Sequence, residues 1–451
     1  MRKLKAEQAV AFEQIREFLS SDRKMHMLSG AAGTGKTYTL GEVVSYCMME
    51  HISVIVTAPT HKAVRVLKKL VDQPLITFST THSALGMKET INYDGTISFK
   101  ADPKAGYPAE KYKLVIIDES SMLDDAIFNE LTVFSELTVF SKRAKKILFV
   151  GDPYQIPPVN HIHAKCFLKS IQAQYQIGLS ILNEIVRQAE GSPIITYATS
   201  IRKDIHKPVQ IFNPQTLRQN LGAVFMIPRK QKAVFINDLL PLFSSVEYKN
   251  DIDFVKVIAW RNITVDTYNR LIRMHVLGEN LPKIIAGDRL VLDAPIVEDR
   301  KVIISANEEC EVISTTIQIE DLSEIYKLKY YYARVRVFSN DVFNEYMIKI
   351  IHEDSEKDFE KILELQKAVA KSYQPGSYQA KSSWIDYYEF YNIWAKVKYS
   401  YCITGHRSQG STYHTAYVLA WDILISSNVL ERNRILYTAS TRPSTNLYVE
   451  Y

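Results

Sequence analysis

Short apolar runs separated by polar, helix-length stretches set the rhythm of residues 1–185. Residues 53–58, 114–118 and 147–151 are mostly apolar and lead into loops bearing Pro, Asp or Gly. Such runs predict strands buried on both faces of a parallel sheet, with ligands bound at their carboxyl ends. Between the first two, residues 62–70 predict a basic amphipathic helix. The rhythm breaks at 87–110: residues 90–92 and 97–99 flank Tyr93-Asp94-Gly95-Thr96, and Asp-Gly between such runs predicts a hairpin.

The second half restarts the pattern with a strand at 254–260 and a helix at 264–277, then turns β-rich over 283–351, where residues 330–337 alternate. Two helices are predicted next. The first, 354–371, has Phe359, Ile362, Leu363 and Val369 on one face. The second, 382–396, carries Trp384, Tyr387, Tyr388, Tyr391 and Trp394 at helical spacings, a stripe read as packing that braces the hairpin. Gln374-Pro375-Gly376-Ser377 predicts a flexible link between them, and residues 397–451 return to strand and helix. The expected fold class is α/β. One domain covers 1–185 with a hairpin insertion at about 87–110, a second covers 186–279 and 397–451, and an inserted region covers 280–396. Residues 130–135 and 136–141 both read ELTVFS; six residues advance an α-helix by about 600°, so the copies face differently and make no solenoid.

Composition changes this picture little. With 46% hydrophobic and 23% charged residues, the chain has material for sizeable cores and is not a disordered polymer. Its 55 basic and 50 acidic residues give +5, which permits a nucleic-acid partner without establishing one. Cys47, Cys166, Cys310 and Cys402 lie far apart with no CxxC pair, which argues against a zinc site or disulfide framework. No apolar run approaches the roughly 18 residues of a membrane span. An intracellular soluble protein with no membrane partner is expected.

Gly30-Ala31-Ala32-Gly33-Thr34-Gly35-Lys36-Thr37 matches the phosphate loop GxxxxGK[ST] in full. It follows a strand-like run at 24–28 and precedes a helical stretch at 38–50. Its glycines let backbone N–H groups wrap phosphates, Lys36 reaches the β and γ oxygens, and the Thr37 hydroxyl ligates Mg²⁺. The buried run 114–117 then delivers Asp118 and Glu119, suited respectively to hold Mg²⁺ and to deprotonate an attacking water. On its own, an apolar run ending in Asp-Glu is often just a strand meeting solvent; the phosphate loop changes that reading. Gly151-Asp152-Pro153-Tyr154-Gln155-Ile156-Pro157-Pro158-Val159 follows a third strand and offers Gln155 as a γ-phosphate sensor.

In order and spacing these motifs resemble superfamily 1B helicases, the branch containing RecD and the phage Dda helicases, most strongly over 25–190 and 397–442. The resemblance implies two RecA-like domains with ATP between them, single-stranded DNA across their top, and ATP-driven 5′→3′ movement. It implies adenine recognition by Gln8, DNA contacts from Pro59, Thr60, His61, Thr81 and His82, and arginine fingers at Arg187 and Arg442. Thr404-Gly405-His406-Arg407-Ser408-Gln409-Gly410-Ser411-Thr412 resembles the family loop bridging DNA and nucleotide. Thr404, His406 and Thr412 are then expected on DNA, and Gln409 and Gly410 on nucleotide. Arg407 stands for the usual Lys, and Gly405 for a bulkier residue. The hairpin corresponds to the family's duplex-splitting pin, where Phe99 or Tyr93 stacks on a base. The insertion corresponds to an SH3-like accessory domain with helical additions. The stretch 260–273, with Asn262, Tyr268 and Asn269, resembles a family segment near nucleotide and DNA but receives no individual roles.

Implied ligands are ATP and Mg²⁺, and implied partners are single-stranded, duplex or forked DNA, with a single-strand-binding protein or replisome component. A monomer is expected, in the cytoplasm of a bacterial cell, the host's if phage-encoded. Two alternatives stay open: a switch that grips DNA without unwinding, disfavoured by Glu119 and the two arginines, and an RNA helicase, since no motif reads a 2′-hydroxyl.

Overall fold

The computed structural model describes residues 4–71, 76–101, 106–137, 145–158, 161–185, 191–208, 217–219, 222–298, 301–322, 326–339 and 342–451. Contacts divide the chain into two units: Met1–Lys88, Ala101–Val265 and Ile403–Tyr451 form the first, and Glu89–Lys100 and Asp266–Cys402 the second.

The first unit holds two six-stranded sheets. One is parallel throughout, in the order Thr77–Thr80, Val54–Ala58, Leu114–Ile117, Lys146–Gly151, Met25–Gly30 and Gly178–Leu182. Its central strands are buried at every position, as the unbroken apolar runs require of a sheet covered on both faces. On one face lie the helices Ala6–Ser20, Lys36–Met49 and His61–Val71, sealing Phe12, Ile15, Val43, Val56 and Leu67. On the other, Asp125–Leu137 covers Ile117, Phe128, Leu131 and Phe149. Each such buried side chain contributes about 1.5–3 kcal/mol of transfer free energy. The second sheet runs Cys402–Thr404, Val255–Ala259, Tyr413–Leu419, Pro443–Glu450, Gly222–Ile227 and Leu217–Gln219, with the last strand antiparallel. These are the two RecA-like domains of an α/β protein. The helix Val429–Ser440, capped by the Asn428 side chain on Glu431 N–H, packs on the second sheet through Ile435, Leu436 and Tyr437.

The second unit is built on an antiparallel sheet ordered Val342–Ile351, Lys327–Ser339, Glu309–Asp321, Arg289–Leu292 and Val397–Tyr399. The buried Asp288 takes both Nε (2.6 Å) and one terminal nitrogen (3.0 Å) of Arg273, tying the helix Asn262–Leu277 to the start of this sheet. Beside the sheet stands a helical hairpin, Glu356–Ser372 and Tyr378–Ile393. The second helix begins four residues before the expected 382, because the Ser377 hydroxyl caps Ala380 N–H. It also ends earlier than expected: Trp394 has left the helix and bridges Lys349, whose carbonyl takes the Ala395 N–H.

The Asp-Gly hairpin is present, its strands Met87–Ile91 and Ile97–Ala101 shorter than the 87–110 span expected. Residues 102–105 lie outside the described residues, and Pro108–Lys111 is a short 3₁₀ turn. Asp94 accepts the Thr96 N–H at 2.9 Å, and Gly95 sits at φ +79°, a conformation that glycine adopts without strain. The first ELTVFS copy lies in Asp125–Leu137; most of the second falls outside the described residues.

Candidate active site

The phosphate loop leaves the strand Met25–Gly30 and opens the helix Lys36–Met49. Gly35 has φ +80°, and a Cβ there would overlap the Gln8 side-chain amide. Only glycine lets the Gln8 helix approach the loop this closely. Lys36 folds back onto its own loop, with Nζ donating to the carbonyls of Gly30 (2.8 Å) and Ala31 (2.9 Å). An anionic phosphate would be a stronger partner for this ammonium than neutral carbonyls. Thr34 is buried and serves the loop itself, its hydroxyl donating to Ala31 O.

A cavity of about 650 Å³ opens over this loop, lined by Gln8, Ala31, Ala32, Gly33, Gly35, Lys36 and Thr37. Asp118, Glu119 and Gln155 from neighbouring strand ends, and Gly410, Thr412 and Arg442 from the second sheet's side, complete its wall. The fold therefore converges these sequence-distant candidates on one space. Thr412, expected on DNA, lines this cavity as well. Glu119 has φ +50°, uncommon for a residue with a Cβ, and strain of this kind gathers at functional sites. Its carboxylate lies 4.0 Å from a terminal nitrogen of Arg442, which is buried and held by Thr438 and Ser411 carbonyls. Burial, then the adjacent Glu119 charge, push the Asp118 carboxyl up to about 7. A carboxylate under that pressure, lining the same cavity as Thr37, fits a divalent cation. Gln155 Oε1 is buried without a hydrogen-bond partner, an acceptor suited to a ligand or water proton.

Other candidates fall elsewhere. The Gln409 amide donates to Ile156 O at 2.8 Å, fastening the Gln155 loop to the second sheet's side rather than lining the cavity. Arg187 lies outside the described residues. Pro59, Thr60 and His61 follow the strand Val54–Ala58, where Thr60 Oγ1 caps the next helix through Ala63 N–H. Thr81 is buried with its hydroxyl on Thr57, so it faces the interior. Burial lowers the pKa of His61, His82 and His406 alike. That direction favours the neutral imidazole at pH 7 for all three. Thr404 Oγ1 accepts Arg407 N–H within its own loop. Asn269 exchanges two hydrogen bonds with the Cys402 backbone, a structural role.

Some contacts carried no individual sequence signal. The buried Asp422 accepts Trp260 and Arg261 N–H, Arg261 Nε and the Thr264 hydroxyl, which fixes the start of the helix Asn262–Leu277. Tyr437 accepts Ala32 N–H at 3.0 Å and donates to Asp152 Oδ2 at 2.6 Å. Asp152 lies in the segment that carries Gln155 and Tyr437 lies five residues before Arg442, yet only packing reveals that they meet.

In the second unit, the hairpin turn is anchored on the aromatic stripe. Tyr388 donates to Gly95 O at 2.7 Å, Trp384 covers the glycine, and Lys381 Nζ lies 5.5 Å from the Tyr93 ring. Trp384, Tyr387 and Trp394 are buried, while Tyr93 (51%) and Phe99 (45%) remain exposed on the hairpin.

Two RecA-like sheets, a phosphate loop on one and an arginine helix from the other define a two-lobed phosphate-loop NTPase. Residues 3–215 match an AAA-domain family model, and residues 399–449 match a UvrD-like helicase C-terminal domain. An uncharacterised protein of Acanthamoeba polyphaga mimivirus is 25% identical, covering 98% of both chains. The ATP-dependent DNA helicase dda of Enterobacteria phage T4 is 25% identical over 93% of each. A Pif1 helicase chain, from work on the structural basis of DNA unwinding at forked duplex DNA by two coordinating Pif1 helicases, superposes with TM-score 0.52 at 16% identity, covering 99% of this chain and 92% of its own. In sequence and in fold the chain is similar to the Pif1/RecD-like helicases of superfamily 1B.

Proposed function

We infer that the protein is an ATP-dependent DNA helicase that moves 5′→3′ along single-stranded DNA. The observation that carries this reading is the meeting of Lys36, Asp118, Glu119 and Gln155 with Arg442 around one cavity. Lys36 exchanges its loop carbonyls for the β and γ oxygens, and the free N–H groups of the loop bind the remaining phosphate charge. Glu119 takes the proton of the attacking water, and Gln155 Oε1 accepts its other hydrogen. Arg442 leaves Glu119 for the γ-phosphate, where a guanidinium is worth roughly 10³–10⁵ in rate. Thr37 and Asp118 would hold Mg²⁺, whose charge offsets that on the β and γ oxygens. Because Arg442 belongs to the second sheet's side, its shift couples hydrolysis to movement of the two RecA-like lobes.

The single strand is proposed to run past Pro59, Thr60, His61, His82, Thr404 and His406. Phe99 or Tyr93 at the hairpin stacks on a base at the duplex junction, worth about 1–3 kcal/mol. Forked DNA is the natural substrate of such an arrangement, in replication, recombination or displacement of bound proteins, with a single-strand-binding protein or replisome component at hand and the enzyme working as a monomer inside the cell.

The test compares unwinding of duplexes bearing a 5′ or a 3′ single-stranded tail, with ATP and with Lys36→Ala as control. Selective opening of the 5′-tailed duplex by the wild type alone is expected. Preference for the 3′ tail would overturn the polarity, and hydrolysis without opening either duplex would overturn strand separation.

A further inference from the structure

The helix Val429–Ser440 touches the nucleotide site at two points, and only one of them has a role so far. Arg442, just past its end, is held in register by its N–H on Ala439 O (3.2 Å) and its Nε on Thr438 O (3.0 Å). The second point is Tyr437, 1% exposed, whose hydroxyl bridges Ala32 N–H of the phosphate loop and Asp152 Oδ2.

Asp152 is fully buried and organises the loop that carries Gln155. Its side chain accepts Tyr154 N–H at 3.0 Å, its carbonyl accepts Gln155 N–H at 3.2 Å, and Arg202 stands 3.6 Å from its Oδ1. Arg202 in turn stacks 4.4 Å from the centre of the Tyr154 ring. A single hydroxyl thus joins the loop that binds phosphates, the loop that presents Gln155 and the helix that presents Arg442. Burial and the Asp152 charge push the hydroxyl's pKa well above its usual value, so it stays a donor and shuttles no proton.

We propose that Tyr437 is a positioning residue for ATP hydrolysis: its hydroxyl registers the phosphate loop against Gln155 and Arg442, setting the rate of the chemical step without binding nucleotide itself. The inference rests on the site roles given under Proposed function. Its physical basis is that the groups contacting nucleotide (Lys36, the glycine-rich backbone and Gln8) remain in place without the hydroxyl. Without it, Ala32 N–H and a buried carboxylate oxygen lose their partner, and the two catalytic side chains lose their common anchor. Misplacement of reacting groups by about 1 Å costs on the order of 10²-fold in rate.

Tyr437→Phe keeps the ring in the core and removes only this bridge. In the full chain with saturating single-stranded DNA, its kcat is expected to fall at least about tenfold, with hydrogen bonds to charged groups setting the scale. Binding of a non-hydrolysable ATP analogue should stay within about twofold, the usual margin for a site whose contacts are unchanged. Asp152→Asn keeps an acceptor for Tyr437 but removes the charge, and should show a smaller loss of the same kind. The double variant should lose less than the sum of the two single losses, because Asp152→Asn acts in part through the connection that Tyr437→Phe has already removed. A kcat within twofold of wild type, additive losses, or analogue affinity and melting temperature falling together with kcat would each overturn the proposal. Should Tyr437→Phe fail to fold, Asp152→Asn decides: a kcat loss at unchanged analogue affinity supports the bridge, and no loss overturns it. A wild-type protein that hydrolysed no ATP would instead overturn the functional reading.

Discussion

The nucleotide cavity and the hairpin anchor are opposite kinds of site. In the cavity, groups are held short of satisfaction: Lys36 rests on carbonyls, Gln155 Oε1 has no partner, Glu119 sits at positive φ and Asp118 is pressed toward its neutral form. At the anchor, the hairpin's turn is covered by Trp384 and hydrogen-bonded by Tyr388, and Ile91 packs with Leu363 and Tyr387. The first region is built to change partners when a ligand arrives, the second to keep the ones it has. The proposed strand separation needs both, since a hairpin that yielded with each turnover would not part a duplex.

The comparison breaks most sharply at Glu119. Glu119→Gln keeps the cavity's shape and should bind ATP normally, yet turn over at least about 10²-fold more slowly, the usual scale of general-base effects. Wild-type turnover would remove Glu119 from the mechanism.

A smaller, graded effect follows from Asp118. Its raised pKa means the folded protein without nucleotide holds a proton that the unfolded chain releases above its ordinary value of 3.8. This group therefore lowers stability as pH climbs from about 4 to 7. Cation binding needs the carboxylate, so affinity for Mg²⁺ with nucleotide should rise about tenfold per pH unit below 7 and flatten above it. Titration of binding between pH 6 and 8 checks this; a flat profile, or one unchanged in Asp118→Asn, would contradict it.

Least is expected from Tyr388→Phe, which removes one hydrogen bond to the hairpin. At about 1 kcal/mol, the population of anchored hairpin should drop roughly fivefold relative to the free form. Hydrogen exchange at residues 92–96 would register the loss, and unaltered protection there would show that Trp384 alone suffices.

Legibility in the sequence followed the range over which each feature acts. The phosphate loop was readable because eight consecutive residues carry its chemistry, and the buried strands because parallel sheets demand unbroken apolar runs. The Asp-Gly turn announced the hairpin through local backbone preference. What the hairpin leans on was legible only as a stripe of aromatics, since Gly95 and Tyr388 are 293 positions apart. Thr81 and Gln409 fit a resembling motif as ligand contacts, but packing directs the Thr81 hydroxyl to Thr57 and the Gln409 amide to Ile156. Tyr437 was hidden for the opposite reason: an aromatic beside Ile435 and Leu436 reads as core, and its polar tip shows its use only when Ala32 and Asp152 are in place.

The central claim is that one unit hydrolyses ATP and the braced hairpin turns that work into strand separation. Gly95→Ala tests it most directly, because a Cβ there collides with Trp384 and forces φ away from +79°. DNA-stimulated ATP turnover and unwinding of a 5′-tailed duplex should be measured on the same preparation. The account expects turnover within about twofold of wild type, the range of a substitution that shares no partner with the cavity residues, and unwinding lost several-fold or more. Full unwinding with the hairpin so displaced, or a parallel loss of both activities, would contradict it.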